Sequence, residues 1–302
     1  MVENIALSLL PIDISLLTQT IYPDLIMTNG RNAGPKTYKG TNIFFLGSSN
    51  TKIMIDAGED VPEYEESLNK IFDTFNISIS HVIITHFHHD HTDGIQYVLK
   101  RFPSVIIYKF KGDGESLKSD ENLQNKFGFK YTYLKNEEII NLDEYELKII
   151  HLPGHSDDSI GIYDSKKERL FIGDTVLGDG TGTQITNLTL YMKSLEKILE
   201  MEIECLLPAH GNILLKKESV KKHVMIFFEN RRKRELSILE VLKQHKRLEY
   251  DELFTEVYKG TPQNLIIAAK FNFEVHMKKL IFEGIVSMET EKENQYIILI
   301  KE

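Results

Sequence analysis

The chain has one cysteine in 302 residues, no apolar run approaching the roughly 20 residues that cross a bilayer, and no lysine or arginine before Arg31. Cys205 therefore has no partner within the chain, which excludes an intramolecular disulfide and fits a reducing compartment. Its setting, Glu204-Cys205-Leu206-Leu207-Pro208, is that of a small core hydrophobe. An N-terminal stretch with Glu3 and Asp13 and no basic residue is neither a secretory signal nor an Arg-rich transit peptide. The expected location is the cytosol, with the mitochondrial matrix reachable only without a recognisable presequence. Internal repeats and low-complexity segments are also missing. What remains, 41% hydrophobic and 27% charged residues, is the composition of a globular protein with no membrane partner. The length suits a catalytic domain of about 220 residues plus a small module.

Against that background one run stands out: His86-Phe87-His88-His89-Asp90-His91, entered from Val82-Ile83-Ile84 and followed by Thr92-Asp93-Gly94. The β-branched residues read as a buried strand, and the polar run as a loop that opens a helix. Imidazoles and a carboxylate at a rigid strand end are the ligand set of zinc or another borderline divalent ion. Four further apolar runs stop in the same manner, at Asp56, at His155 in Pro153-Gly154-His155-Ser156, at Asp174 in Gly173-Asp174, and at His210 in Pro208-Ala209-His210-Gly211.

This ordered set resembles the metallo-β-lactamase superfamily. The resemblance implies one ion held by His86, His88 and His155, a second held by Asp90, His91 and His210, and Asp174 bridging them. Two Zn2+ ions are the expected cofactors, with Mn2+ or Fe2+ as substitutes. Asp56 would accept the second N–H of a ligand histidine and fix its tautomer, so the catalytic carboxylates are Asp56, Asp90 and Asp174. His89 should point away. Of the histidines without a ligand role, His151 is the one to test as a substrate contact. The implied fold is α+β, an αβ/βα sandwich.

The alternation of strands such as Asn42–Leu46, Ile53–Ile55, Val105–Tyr108 and Leu147–Ile150 with helices over 64–75 and 95–102 agrees with that fold. Another amphipathic helix is predicted over 188–201. Beyond His210, Lys216, Lys217, Lys221, Lys222, Arg231, Arg232, Lys233 and Arg234 stand against Glu218 and Glu229, a local balance of plus six in a chain of net charge −9. Such a run is either a solvated helix face or a track for a polyanion. Three helices, over 235–243, 250–258 and 262–283, and a hairpin of 285–288 with 296–300 then resemble a winged helix. Domains are accordingly placed at 1–228 and 229–302. The third helix mixes Lys270, Lys278 and Lys279 with Glu274 and Glu283, and the wing is acidic, so sequence-specific DNA reading is not expected. The module is expected to pack on the catalytic domain, contact RNA or support a homodimer.

The order of the two domains, with Gly40-Thr41-Asn42, Gly178-Asp179-Gly180-Thr181 and Thr261-Pro262-Gln263-Asn264-Leu265, resembles the beta-lactamase-like protein 2 group. Ala209 stands where that group usually has glycine. The resemblance implies a zinc-dependent endoribonuclease that cleaves single-stranded RNA by attack of metal-bound hydroxide on phosphorus. Expected substrate contacts are Asn42, Thr181 and Thr183 in loops, with Lys221, Lys222, Arg231 and Arg232 along the basic run; Lys36 is a weaker candidate. The alternative is a thioesterase of the glyoxalase II type, related through its metal motifs, and the non-enzymatic alternative is an RNA-binding or scaffold protein. A true β-lactamase uses fewer of these ligands, and a β-CASP nuclease would need a whole domain where only 36 positions, 210 minus 174, separate Asp174 from His210.

Overall fold

The structure is a computed structural model that describes residues 18–301; Glu3 and Asp13 lie outside the described residues. Two β-sheets are formed first by hydrophobic alternation. The larger runs in the order β1 (Thr18–Tyr22), β2 (Leu25–Asn29), β3 (Asn42–Leu46), β4 (Thr51–Ile55), β5 (Ser78–Ile84), β6 (Ile106–Phe110) and β7 (Tyr131–Leu134). Its first four strands are antiparallel, and β4 to β7 are parallel. The parallel half needs crossover helices, supplied by α1 (Pro62–Thr74), by α2 (His89–Thr92) with α3 (Ile95–Arg101), and by α4 (Glu115–Phe127). The second sheet has the order β12 (Cys205–Pro208), β11 (Arg169–Gly173), β10 (Ile160–Asp164), β9 (Tyr145–His151) and β8 (Ile139–Leu142).

Strand β3 shows why the two sheets stack. All five of its residues are buried, because successive side chains point to opposite faces. Phe44 and Leu46 enter a core shared with Leu147, Ile149, Ile162 and Phe171 of the second sheet. Ile43 and Phe45 enter another core with Leu68, Ile71 and Phe72 of α1 and Val98 of α3. Phe44 meets Phe171 edge-on at 5.3 Å, and Phe45 meets Phe72 at 6.0 Å. Burial of each such ring contributes about 2–3 kcal/mol.

By internal contacts the chain divides into two compact units, residues up to Thr183 with Glu202–Val220, and Gln184–Met201 with Lys221 onward. The second unit takes in α5 (Leu188–Leu199), which packs on α8 (Ile266–Phe282). The position 228/229 falls inside one continuous helix, α6 (Lys217–His245). The helix predicted over 235–243 is the last part of it. A core of Ile238 and Leu242 from α6, Leu253 and Phe254 from α7 (Tyr250–Val257), Phe273, Met277 and Leu280 from α8, and Val286 and Ile297 closes the C-terminal unit. Its sheet runs β13 (Arg247–Glu249), β15 (Asn294–Leu299), β14 (Val286–Glu291), all antiparallel. No helix of the described residues is long and apolar enough to cross a membrane.

Candidate metal centre

Strands β4 and β5 run parallel in one sheet, and β11 and β12 run parallel in the other. Their C-terminal ends meet across the sandwich: Ile160 N donates to Thr85 O at 3.0 Å and Asn42 N to Ala209 O at 2.6 Å. This edge carries Asp56, His86, Asp174 and His210, each just past the end of a strand. The loops behind them are pulled in by glycine. A Cβ at Gly94 would lie 2.0 Å from Ala57 O. That close approach lets Ala57 N donate to His91 O and Gly94 N to Gly58 O, setting the His-rich loop against Asp56.

Two groups of ligand atoms result, each within 4.8 Å: His86, His88, His155 and Asp174, and Asp90, His91 and His210. In the first, His86 Nε2, His88 Nδ1 and His155 Nε2 stand 2.9–3.1 Å apart. Nitrogens each about 2.0–2.1 Å from one tetrahedral ion would be separated by about 3.4 Å, so the three lone pairs converge on one point. Asp174 faces both groups: Oδ2 lies 3.7 Å from His155 Nε2, and Oδ1 lies 3.3 Å from His210 Nε2 and 3.7 Å from His91 Nε2. His91 Nε2 is buried and makes no hydrogen bond among the described residues, although Asp90 Oδ2 is 3.2 Å away. A nitrogen so placed beside carboxylates, without a usable hydrogen-bond angle, suits a shared cation. Five imidazoles and two carboxylates are donors for zinc or a similar borderline ion, and the residues fit it.

The outward-facing atoms of these rings are tied down. Asp56, held at φ 58°, accepts from Thr85 N at 2.8 Å, from Thr85 Oγ1 at 2.9 Å and from His91 Nδ1 at 2.8 Å. Since Thr85 Oγ1 donates to Asp56, it accepts from His86 Nδ1 at 3.0 Å. His155 Nδ1 lies 3.1 Å from Thr183 Oγ1, whose hydroxyl donates to Asp174 O at 2.7 Å. These bonds hold the rings of His86, His91 and His155 with Nε2 turned toward the centre. Thr41 Oγ1 donates to Asp90 Oδ2 at 3.0 Å.

Electrostatics divides the centre. Burial and the neighbouring imidazoles push His86 well down and His88 down to about 3. Burial also opposes the charging of His91 and His210, but the surrounding carboxylates outweigh it, Asp90, Asp56 and Asp174 for His91 and Asp174 and Asp90 for His210, which rises to about 10. His86 and His88 are thereby neutral, whereas His91 and His210 keep protons that a cation would replace.

The remaining candidates sort by geometry. His89 is 80% exposed in its side chain and points away. Asn42 is spent on structure, since its amide donates to Pro208 O at 3.0 Å and Gly211 O at 2.9 Å, holding the His210 loop. Thr183 is buried under His155 and Asp174, which makes it a positioning residue, whereas Thr181 is half-buried. His151 stacks on Phe110 at 4.1 Å with Nε2 2.8 Å from Asp157 O, so its ring is committed within the fold. Arg231 is buried in the C-terminal unit, because its turn of α6 faces that core, whereas Lys221, Lys222 and Arg232 are exposed. Lys36 is exposed. Buried Cys205 is pushed up to about 11 by its burial, which removes it as a nucleophile.

Sequence reasoning missed the support of the His155 loop. Lys109, fully buried, pairs with Asp158 and with Asp120 at 3.0 Å. Asp158 accepts from Ser156 at 2.7 Å, next to His155. The only signal was a lysine amid the apolar residues of β6.

Residues 37–210 match the metallo-beta-lactamase superfamily, and residues 250–293 match the beta-lactamase associated winged helix domain. The beta-lactamase-like protein 2 homolog of Caenorhabditis elegans is 33% identical over 85% of this chain and 84% of its own. The chain belongs to the metallo-β-lactamase superfamily, in its beta-lactamase-like protein 2 group. An atrochrysone carboxyl ACP thioesterase of Claviceps purpurea (strain 20.1) is 28% identical over 80% of this chain and 74% of its own. Among solved structures, a beta-lactamase domain protein from Burkholderia ambifaria superposes with a TM-score of 0.76 over 92% of both chains at 16% identity, which shows the shared metallo-β-lactamase fold. The fold is α+β with a C-terminal winged helix, a metal-dependent hydrolase fold that typically binds a dinuclear metal site, and the chain carries a His/Asp cluster able to hold metal.

Proposed function

We propose that the chain is a dinuclear metal-dependent hydrolase that cleaves single-stranded RNA. The observation that carries the dinuclear part is Asp174, whose two oxygens face two separate ligand groups. His86, His88 and His155 would hold one ion, Asp90, His91 and His210 the other, and Asp174 both, with two Zn2+ the expected pair. Bound there, the ions would supply a nucleophilic oxygen near neutral pH and offset negative charge developing on the substrate. The chain's own residues do the rest. Asp56, Thr85 and Thr183 fix the tautomers of His91, His86 and His155, and Thr41 holds Asp90. The RNA part is supported by group membership and by the exposed cations Lys221, Lys222, Arg232 and Lys233 on α6. A homodimer and contact of the winged helix with RNA belong to the same reading.

A thioesterase is the second reading, favoured by the relative that bears that name. Incubation with a labelled unstructured RNA, an acyl-glutathione and an acyl-pantetheine thioester, each with and without chelator, separates the two. Chelator-sensitive RNA cleavage with inert thioesters is the expected result. Thioester turnover with intact RNA would replace the nuclease reading, and turnover of neither would return the chain to an RNA-binding or scaffold role.

A further inference from the structure

The loop between β2 and β3 holds a tyrosine in a conformation its side chain disfavours. Tyr38 has φ 55°, in the left-handed region that bulky residues rarely occupy. The loop enforces it. Gly34 N donates to Tyr38 O at 3.1 Å, Gly40 N to Thr37 O at 2.8 Å, Asn29 Nδ2 to Lys39 O at 2.9 Å, and Thr37 Oγ1 to Asn32 O. The loop is also fastened to the metal centre, because Asn32 Nδ2 donates to Thr41 Oγ1 at 2.9 Å, and Thr41 in turn donates to Asp90.

The conformation places the phenol against the loop that follows Asp174. Its oxygen lies 3.6 Å and 3.5 Å from where a Cβ of Gly180 or Gly182 would stand, which sets the phenol in contact range of that loop. Thr183, next in that loop, holds His155 and Asp174. The Tyr38 hydroxyl has no hydrogen-bond partner among the described residues, and the residue is 36% exposed. Burial, and then the charges of Asp174 and Asp179, hold the phenol above its ordinary range, so it is a proton donor at neutral pH. A backbone outlier whose side chain ends in a free donor beside the loop after Asp174, and whose own loop is fastened to the metal centre, is strain of the kind kept for function.

We infer that Tyr38 is a substrate-contacting residue, its hydroxyl donating a hydrogen bond to the non-bridging oxygen on which negative charge grows during hydrolysis. That oxygen belongs to the phosphoryl group of a phosphodiester or to the carbonyl group of a thioester, and the contact rests on the metal-dependent hydrolase reading. No proton changes owner.

The test uses the zinc-loaded full chain as wild type, Tyr38→Phe and Tyr38→Asn, the last because asparagine tolerates left-handed backbone. Readouts are metal content, melting temperature, kcat and KM on bis(p-nitrophenyl) phosphate, RNA and an acyl thioester, and the affinity for inorganic phosphate by calorimetry. Tyr38→Phe should keep its metals and its melting temperature while kcat falls about ten- to hundredfold, the range of a hydrogen bond to a charged group. KM should move much less. The substrate on which kcat falls identifies which oxygen is met. Activity within about twofold of wild type in Tyr38→Phe overturns the inference, as does loss confined to Tyr38→Asn, which would assign the ring to packing. If wild type hydrolyses nothing, the hydrolase reading has failed; phosphate affinity then decides, a roughly tenfold loss in Tyr38→Phe supporting the contact and equal affinity overturning it.

Discussion

Two stretches of this chain are crowded with chemistry-bearing side chains, and the fold handles them in opposite ways. At the strand ends it gathers them: ligands from positions 86 to 210 come within 4.8 Å of one another in each group. Along α6 it scatters them. Arg231 is buried, Arg234 lies over the Tyr258 ring at 4.1 Å, and Lys217 pairs with Glu202, which leaves Lys221, Lys222, Arg232 and Lys233 exposed. A strand end aims its last side chain in a fixed direction, and several such ends at one edge of a sandwich share a target. A helix turns each successive residue by about 100°, so neighbours in sequence fan out around it. Lys221 and Arg232, eleven positions apart (232 minus 221), are about three turns apart and share a face; adjacent Arg231 and Arg232 do not.

The contrast is broken most severely at the bridge. Asp174→Ala should lower kcat by at least about 10²–10³ and bring metal content below two ions per chain, with the strands still folded, because the sheets and not the carboxylate supply the core. Metal analysis beside a circular dichroism melt checks it. Two tightly held ions in that variant would mean that the two ligand groups are independent.

Thr183→Val keeps the shape of a side chain that only orients His155. Zinc affinity, measured by chelator competition, should fall about ten- to hundredfold. An unchanged affinity would show that β-strand geometry alone places the ring.

For α6, replacing Lys221, Lys222, Arg232 and Lys233 with glutamine should raise the KM for RNA and flatten the salt dependence of binding by about 0.7 in log–log slope for each phosphate no longer neutralised. Turnover of a small neutral reporter should hardly change. Arg231→Met, by comparison, should lower the melting temperature and leave the salt slope alone. Identical slopes in wild type and the quadruple variant would reduce the exposed face to a solvated one.

The smallest effect concerns the pair of carboxylates sharing Lys109. Burial, opposed by Lys109 and reinforced by Asp158, pushes Asp120 up to about 6. A folded pKa above the unfolded value means stability that is fully present below about pH 4 and lost as pH rises through 6. Asp120→Asn removes that loss. It should therefore be more stable than wild type at pH 7–8, by about 1–3 kcal/mol, with the advantage vanishing near pH 4. Denaturant melts at the two pH values check the sign.

The candidate metal cluster was legible because its members fall at or within a few residues after strands: apolar alternation predicts the strand, and the short polar run after it must sit near the strand's end. Helices α1, α3 and α7 and the terminal hairpin were legible for the same local reason. Residues whose roles depend on a distant partner were misread. Asn42 looked like a substrate contact but spends its amide on Pro208 and Gly211, more than 160 positions away. Thr183 was expected as a loop substrate contact and is buried under His155. Arg231 belonged to a basic run and turned inward. Tyr38 and Lys109 gave almost no signal, the first because a positive φ is a property of the closed loop, the second because a lysine in a strand reads as solvated until two carboxylates are brought to it.

By itself, then, the sequence determined the family, most of the secondary elements and the candidate His/Asp cluster, since these follow from periodicity and from chemistry carried by neighbouring residues. Tertiary structure alone decided which ring nitrogen faces the centre, which lysines and arginines reach solvent, and which hydroxyls orient and which remain free. Those outcomes depend on long-range hydrogen bonds and on the phase of a helix against its core, and neither is written in any local run of residues.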